Sequence, residues 1–299
     1  MIIVRLAGGL GNQFFQYAAA RAVAARFGTE VKVDISKYSG PTAEPDRKFE
    51  LNKFRCNPAI ASKEEIQVRA DPRIYFLPDF GYNKQPFLGG YDSRTHYVES
   101  RFTFDPTVFE ISKEHFLEGY FQSPRYFEGI RDCLMQDFKL TKPISPPGQE
   151  VLDSIESSDN PICLHIRRGD YVTNPTINKA FGVCSADYYA NAVQIMISRL
   201  QDPQLFVFSD DTEWCKANLR FDVPMKVIDC NKGDAPSDIE LMTRCKHFIS
   251  ANSTFSWWAA WLGSTAESVV ICPRNYYASM RSTADLVPSH WIRLEDKQV

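Results

Sequence analysis

The chain predicts an α/β protein with parallel, doubly wound sheets in two domains, and three observations lead there. From about residue 160 onward, apolar strand-like runs alternate with helical patterns. The first 35 residues already spell strand, glycine loop, helix, strand. A length of 299 residues exceeds the usual size of one compact core.

The elements follow in order. Ile2 to Leu6 is a short apolar run that reads as a buried strand. From Asn12 to Phe27, residues such as Phe14, Phe15, Ala18, Val23 and Phe27 recur at helical spacing, and Val31 to Ile35 alternates as a second strand. Residues 36 to 110, rich in Pro, Arg and aromatics, support no assignment. His115 to Phe121 reads as a strand and Tyr126 to Phe138 as a helix. Thr141 to Gly148 concentrates three prolines and a glycine between helical patterns, so the domain boundary is placed there, giving 1–143 and 144–299.

In the second half, Pro161 to Arg167, Leu205 to Ser209, Met225 to Asp229, His247 to Ala251 and Val269 to Cys272 read as strands, the last being the final one. Between them lie helices over Ser185 to Leu200, Thr212 to Leu219 and Thr254 to Leu262. A further helix is opened by Ser237 and Glu240, which have the spacing of a capping box. Sheets of this kind bind ligands at the carboxyl ends of their strands, so the polar residues there are the candidates for function.

Composition narrows the function classes. Hydrophobic residues at 44% and charged residues at 24% argue against a disordered or fibrous chain. A net charge of −3 with no run of Lys and Arg argues against a nucleic-acid partner. The amino terminus breaks at Gly8-Gly9 before a signal-peptide core develops, and no apolar stretch is long enough for a membrane span. The expected location is the cytoplasm, with peripheral attachment at a membrane as the alternative. Eight cysteines, none in a Cys-x-x-Cys pair, argue against structural zinc and for reduced thiols.

Four constellations carry chemistry. His165, Arg167, Arg168 and Asp170 follow the apolar run Ile162 to Leu164, which places two guanidiniums where a strand meets its loop. Arginine suits phosphate because it stays charged and offers a planar fork of donors, although a salt-bridged surface turn would look the same. Asn252, Ser253, Thr254, Phe255 and Ser256 stand between a strand and an apolar helix, where free backbone N–H groups and the helix dipole attract anions; simple N-capping is the alternative. Trp257, Trp258 and Trp261 recur at helical spacing and read as core. Asp210 and Asp211 end another apolar strand, where one carboxylate is available to a base or ribose hydroxyl and the other to a helix cap.

The fourth is the loop Gly8, Gly9, Leu10, Gly11, Asn12, Gln13. A dinucleotide fingerprint starting at Gly9 would need glycine where Phe14 stands, and the Gly-Lys-Ser/Thr ending of an ATP phosphate loop is absent. What remains is a close backbone approach to a ligand with Asn12 and Gln13 as polar fingers, or a tight turn with Asn12 as cap. No Asp-x-Asp pair and no His pair at metal spacing occurs, so no metal or other cofactor is expected. A diphosphate leaving group would then depend on arginine and helix dipole.

Together these segments resemble the alpha-1,2-fucosyltransferase family. The run from Gly8 to Tyr17 looks like its opening motif, and His165 to Tyr171 is similar to the His-x-Arg-Arg-x-Asp signature it shares with alpha-1,6- and protein O-fucosyltransferases. Phe208 to Asp211 and Ser250 to Trp258 match its later motifs. The resemblance implies a GT-B arrangement, two Rossmann-like domains facing a cleft, with GDP-fucose held by the carboxyl-terminal domain and a galactose-terminated oligosaccharide taken by the amino-terminal one.

By that resemblance the reaction is an inverting, metal-independent transfer of L-fucose to a galactoside 2-hydroxyl. Arg167 would contact the β-phosphate with Arg168 in support, His165 and Asp210 would serve the guanosine, and Asn252, Ser253, Thr254 and Phe255 would line the donor. Gly9, Gly11 and Asn12 would reach the donor from the other domain, with Gln13 at the acceptor. Asp170 is the candidate proton acceptor, unless it orients the arginines. The competing readings are a fucosyltransferase of other linkage, another GT-B nucleotide-sugar transferase, and a non-catalytic nucleotide- or carbohydrate-binding protein.

Overall fold

The computed structural model describes residues 1–39, 43, 46–75, 94–99, 102–278 and 283–296. The chain divides into two compact units, Met1–Thr141 with Ser282–Pro288, and Lys142–Arg281 with Ser289–Val299.

The first unit contains β1 (Ile2–Arg5), α1 (Leu10–Phe27), β2 (Val31–Asp34), β3 (Ala59–Ile60), α2 (Lys63–Arg69), α3 (Pro72–Tyr75), β4 (His96–Val98), β5 (His115–Glu118) and α4 (Arg131–Asp137). Its five strands pair in the order β3-β2-β1-β5-β4, every pairing parallel. The helix α1 is buried along most of its length, as its alanine-rich, apolar sequence requires. Arg5 lies buried at the end of β1 and is neutralised by Asp34 at 3.3 Å and Glu118 at 2.9 Å, which is the condition for keeping a charge inside.

Residues 36 to 110, unassigned from sequence, supply β3, α2, α3 and β4, while 76–93 within that stretch lie outside the described residues. The expected strand from His115 to Phe121 stops at Glu118, because Phe121 has φ of 50° and turns the chain. The expected helix from Tyr126 to Phe138 is shorter: two 3-10 turns, Pro124–Tyr126 and Glu128–Ile130, precede α4.

The second unit contains α5 (Pro146–Glu156), β6 (Asn160–Ile166), α6 (Gly169–Thr173), α7 (Pro175–Phe181), α8 (Ala186–Arg199), β7 (Pro203–Ser209), α9 (Thr212–Asn218), β8 (Met225–Val227), α10 (Ala235–Met242), β9 (His247–Ile249), α11 (Thr254–Gly263), β10 (Val270–Pro273) and β11 (Ile292–Leu294). The strand order is β11-β10-β9-β6-β7-β8, again all parallel. Counted from β6 this is the 3-2-1-4-5-6 order of the doubly wound fold. The chain winds outward from β6 through β7 to β8, returns to β9 on the other side, and winds outward again. The gap between the ends of β6 and β9 is therefore the topological switch point, where such sheets hold their ligands.

Core packing follows the strand alternation. Ile162, Leu164 and Ile166 of β6 join Tyr188, Tyr189, Ala192 and Met196 of α8 in one cluster. Trp257 and Trp258 are fully buried, and Trp257 stacks on Trp261, as their helical spacing suggested.

Several expected boundaries change. The prolines expected in the linker open α5, where Ser145 accepts from Gly148 N and proline is tolerated because the first-turn N–H groups have no helical partner. The capping box at Ser237 does not form: α10 begins two residues earlier, and Ser237 Oγ instead donates to Asp234 at 2.6 Å. The run from Val269 is not the final strand, since β11 pairs beside β10. Arg167 and Arg168 lead into two short helices rather than an open loop.

Candidate functional site

The strand β6 ends at Ile166, so His165 is the last side chain but one within the sheet and Arg167 and Arg168 stand just past its carboxyl edge. His165 is 5% exposed and packs its ring 5.6 Å from that of Phe255, in the first turn of α11. Burial, reinforced by the positive charge of Arg167, pushes the imidazole down to about 3. The ring is neutral near pH 7, with one donor and one acceptor nitrogen. Its Nδ1 is buried and has no hydrogen-bond partner. A buried polar atom left this way is costly, and at the switch point it marks a place for a ligand atom.

Arg167 is fixed by two carboxylates. Its guanidinium pairs with Asp170 and, at 2.7 Å, with Asp210 Oδ2, while Cζ lies 5.2 Å from the centre of the Tyr171 ring. Burial alone would lower its pKa, but Asp210 and Asp170 more than offset that, so the guanidinium stays charged. Arg168 pairs through Nε with Asp211 at 3.2 Å and lies 3.9 Å over the Trp214 ring. The two cations thus face three carboxylates, and the site is a pre-set array of guanidinium planes rather than a bare positive patch.

Asp210 also orders the arginine segment. Its Oδ2 pairs with Arg167 and its Oδ1 accepts from Arg168 N at 2.9 Å, while the residue stays exposed to solvent. Gly169 lies close beside it, and a Cβ there would force the Asp210 carboxylate to shift. Asp211 is the helix cap of the pair, accepting from Trp214 N at 3.1 Å. Asp170 is tied to Arg167, which is the arrangement of an orienting carboxylate.

On the β9 side, Ser253 caps α11 by accepting from Phe255 N at 3.3 Å, and Thr254 and Phe255 are half-exposed in its first turn. Asn252 is turned into the protein. It is 2% exposed, its Nδ2 donates to Phe181 O at 2.9 Å and Gly182 O at 3.2 Å, and its Oδ1 accepts from Cys184 at 3.5 Å. Its amide is thus engaged within the second unit.

The glycine loop belongs to the first unit. Gly8 has φ of 76°, and a Cβ there would meet Asn12 Nδ2 at 2.5 Å, so this position demands glycine on both counts. Gly9 is the N-cap of α1, with Arg47 Nη1 3.7 Å from where its Cβ would be, and Gly11 is buried in the first turn. Asn12, 8% exposed, accepts at Oδ1 from Gln122 Nε2 at 3.1 Å. Gln13, expected at the acceptor, is wholly buried. Its Nε2 donates to Gly8 O and to Lys48 O at 2.8 Å, and its Oε1 accepts from Glu50 N at 3.0 Å. Gln13 is therefore a structural brace of the first unit, with the donor and acceptor sides of its amide both engaged.

Tyr171, Trp214 and Gly169 were missed by sequence reasoning. The first and last adjoin the Arg-Arg pair, and Trp214 sits three residues after the Asp211 cap, so proximity to the motif was the signal available. Among the described residues, no cluster of His, Cys, Asp and Glu is disposed to hold a metal, and no helix is long and apolar enough to cross a membrane.

Comparison with known proteins places this geometry. The family model described as glycosyl transferase family 11 matches residues 87–295. An alpha-1,2-colitosyltransferase of Escherichia coli is 32% identical, over 99% of this chain and 99% of its own. The galactoside 2-alpha-L-fucosyltransferase Sec1 of Mus musculus is 27% identical over 88% of this chain and 64% of its own. The solved structure of the fucosyltransferase NodZ from Bradyrhizobium covers 86% of this chain and 92% of its own with a TM-score of 0.51 and 14% identity, a likeness of fold, and that fold is GT-B. The chain is a glycosyltransferase and belongs to glycosyl transferase family 11.

Proposed function

We propose that this chain transfers L-fucose from GDP-fucose to the 2-hydroxyl of a terminal galactoside, inverting the anomeric centre, with no metal ion at the diphosphate. The observation that carries the reading is the switch point of the second unit, where Arg167, the unpartnered Nδ1 of neutral His165 and the N-terminus of α11 converge. The second unit is the donor-holding one in this reading, and the first takes the acceptor.

The chemistry follows from the array. As the bond from the anomeric carbon to the diphosphate oxygen breaks, positive charge spreads over the sugar ring and negative charge collects on the departing phosphate. A guanidinium already held by Asp170 and Asp210 meets that charge without reorganising, which is the condition under which fixed groups lower a barrier most. The free N–H groups at the start of α11 add a second positive end. The attacking hydroxyl must lose its proton during or after attack. Asp170, bound to Arg167, suits orientation better than proton transfer. Chelation with EDTA is expected to leave turnover unchanged.

A second reading has a specific observation behind it, the 32% identity to an alpha-1,2-colitosyltransferase. Colitose is the 3-deoxy counterpart of fucose, so the two donors share every feature that the arginine array and α11 would contact. One experiment separates the readings: incubation with GDP-fucose and GDP-colitose in turn, with a panel of terminal galactosides, followed by linkage analysis. The proposal expects a 2-linked fucoside, and exclusive use of GDP-colitose would move the donor assignment. Binding of GDP with neither transfer nor donor hydrolysis would overturn both in favour of a binding protein.

A further inference from the structure

We infer that Asn252 is a positioning residue for the transfer step, a latch that fixes the spacing between Arg167 and the N-terminus of α11; the inference rests on the donor-site reading above. The two groups arrive from different parts of the chain. Arg167 follows β6, and the α11 cap follows β9. The sheet pairs β6 with β9 only up to Leu164 and Ile249, so past that point the ladder no longer fixes how the two ends stand.

Asn252 joins them. Its amide makes three contacts with a single stretch, donating to Phe181 O and Gly182 O and accepting from Cys184 Sγ. Its main-chain carbonyl accepts from Tyr171 Oη at 3.4 Å. That stretch leads back to the arginine. The Tyr171 ring stacks on Phe181 at 5.0 Å and lies under the Arg167 guanidinium, and Asn178 Nδ2 holds Tyr171 O at 2.8 Å. On its other side, Asn252 adjoins Ser253, the residue that caps α11.

The path from Arg167 to the α11 N–H groups thus runs through Tyr171, Phe181 and Asn252. A helix cap alone would not explain the side chain, since Ser253 provides the cap. Core filling would not explain it either, because a buried primary amide is costly unless every polar atom is matched. An array that meets developing charge depends on placement to a fraction of an ångström, and a misplacement of about 1 Å costs on the order of 10²-fold in rate. Ground-state binding of GDP, spread over more contacts, is less sensitive.

The test measures GDP affinity and turnover together. In Asn252→Ala, turnover is expected to fall about 10- to 100-fold while Kd for GDP changes less than about threefold. Tyr171→Phe, which keeps the ring and removes the bond to Asn252 O, is expected to move turnover in the same direction by a smaller factor, and carries the test if the first variant fails to fold. In an Arg167→Lys background, Asn252→Ala should cost less than about twofold further, because the latch acts through that guanidinium.

Equal losses in both backgrounds, or a loss of affinity as large as the loss of turnover, would overturn the latch. Absence of GDP binding by the unaltered chain would overturn the donor reading instead. Amide exchange then judges the latch without any nucleotide: Asn252→Ala should lose protection over 171–184 and 253–256 together, and a change confined to one stretch counts against it.

Discussion

The two units offer the same scaffold twice and finish it differently. Each is a parallel sheet with a helix starting beside the carboxyl end of a central strand: α1 after β1, and α11 after β9 next to β6. At the first, the amides close on the protein itself. Gln13 binds Gly8, Lys48 and Glu50, Gln16 bonds Ala7 N and Gly119 O, and Gln122 binds Asn12. At the second, a buried imidazole nitrogen is left without a partner beside a charged, partly exposed arginine. The two strand ends thus differ in how far the protein satisfies its own polar groups, and the proposed donor site lies at the end where His165 Nδ1 is left over.

Four substitutions sharpen that contrast. The largest effect is expected at Arg167→Ala, which should lower turnover by at least about 10² to 10³-fold with GDP-fucose as donor. The far-UV circular dichroism spectrum should be unchanged, since Asp170 and Asp210 retain access to water. Near-normal turnover would remove the second unit's claim to the chemistry.

Next is the buried carboxyl of Glu99, in the first unit. Burial pushes it up to about 7 against an ordinary 4.5, although it accepts from Tyr120 N at 2.7 Å and Phe121 N at 3.0 Å. The folded state therefore holds a proton that the unfolded state has released between 4.5 and about 7. Stability falls as pH rises through that window, by on the order of 3 kcal/mol in all. Glu99→Gln removes the titration, so urea unfolding at about pH 8 and about pH 4 should show a flatter dependence than the parent. An unchanged slope would mean the carboxyl is not buried as described.

Gln13→Ala should cost about 1 to 3 kcal/mol in stability by removing the buried bonds that Gln13 makes to Glu50 N, Gly8 O and Lys48 O. Titration with GDP should give the parent affinity, and a weakened one would give the first unit a part in holding the donor. Ser253→Ala, removing the α11 cap, should cost about 1 kcal/mol by thermal unfolding. A few-fold loss of GDP affinity should accompany it.

The sequence showed most of the second unit because its strands are buried on both faces and read as apolar runs between amphipathic helices. It located the Arg-Arg pair for the same reason, since the end of an apolar run marks a strand end. It was blind to short helices such as α6 and α7, whose few turns carry no periodicity, and to β11, whose three residues include the exposed Arg293. Side-chain roles were the least legible. Asn252 and Gln13 each sit in a motif that looks ligand-facing, and backbone atoms elsewhere in the chain, Phe181 O and Lys48 O among them, turn each amide inward. Gln13 and Lys48 are brought together by a loop, and nothing local to either announces it.

The central place of β6 also governs how the molecule is made. Its two neighbours are β7, which follows at once, and β9, which arrives only after β8 and α10 have been laid down. During synthesis or refolding, one edge of an apolar strand, Ile162 to Ile166, must wait for a partner about eighty residues away, and loop closure over that span is slow. The edge that waits is the same one on which the arginine array is finished. The proposed donor site is thus completed late, and a chain halted before β9 presents an open, sticky strand edge, the form most prone to aggregate.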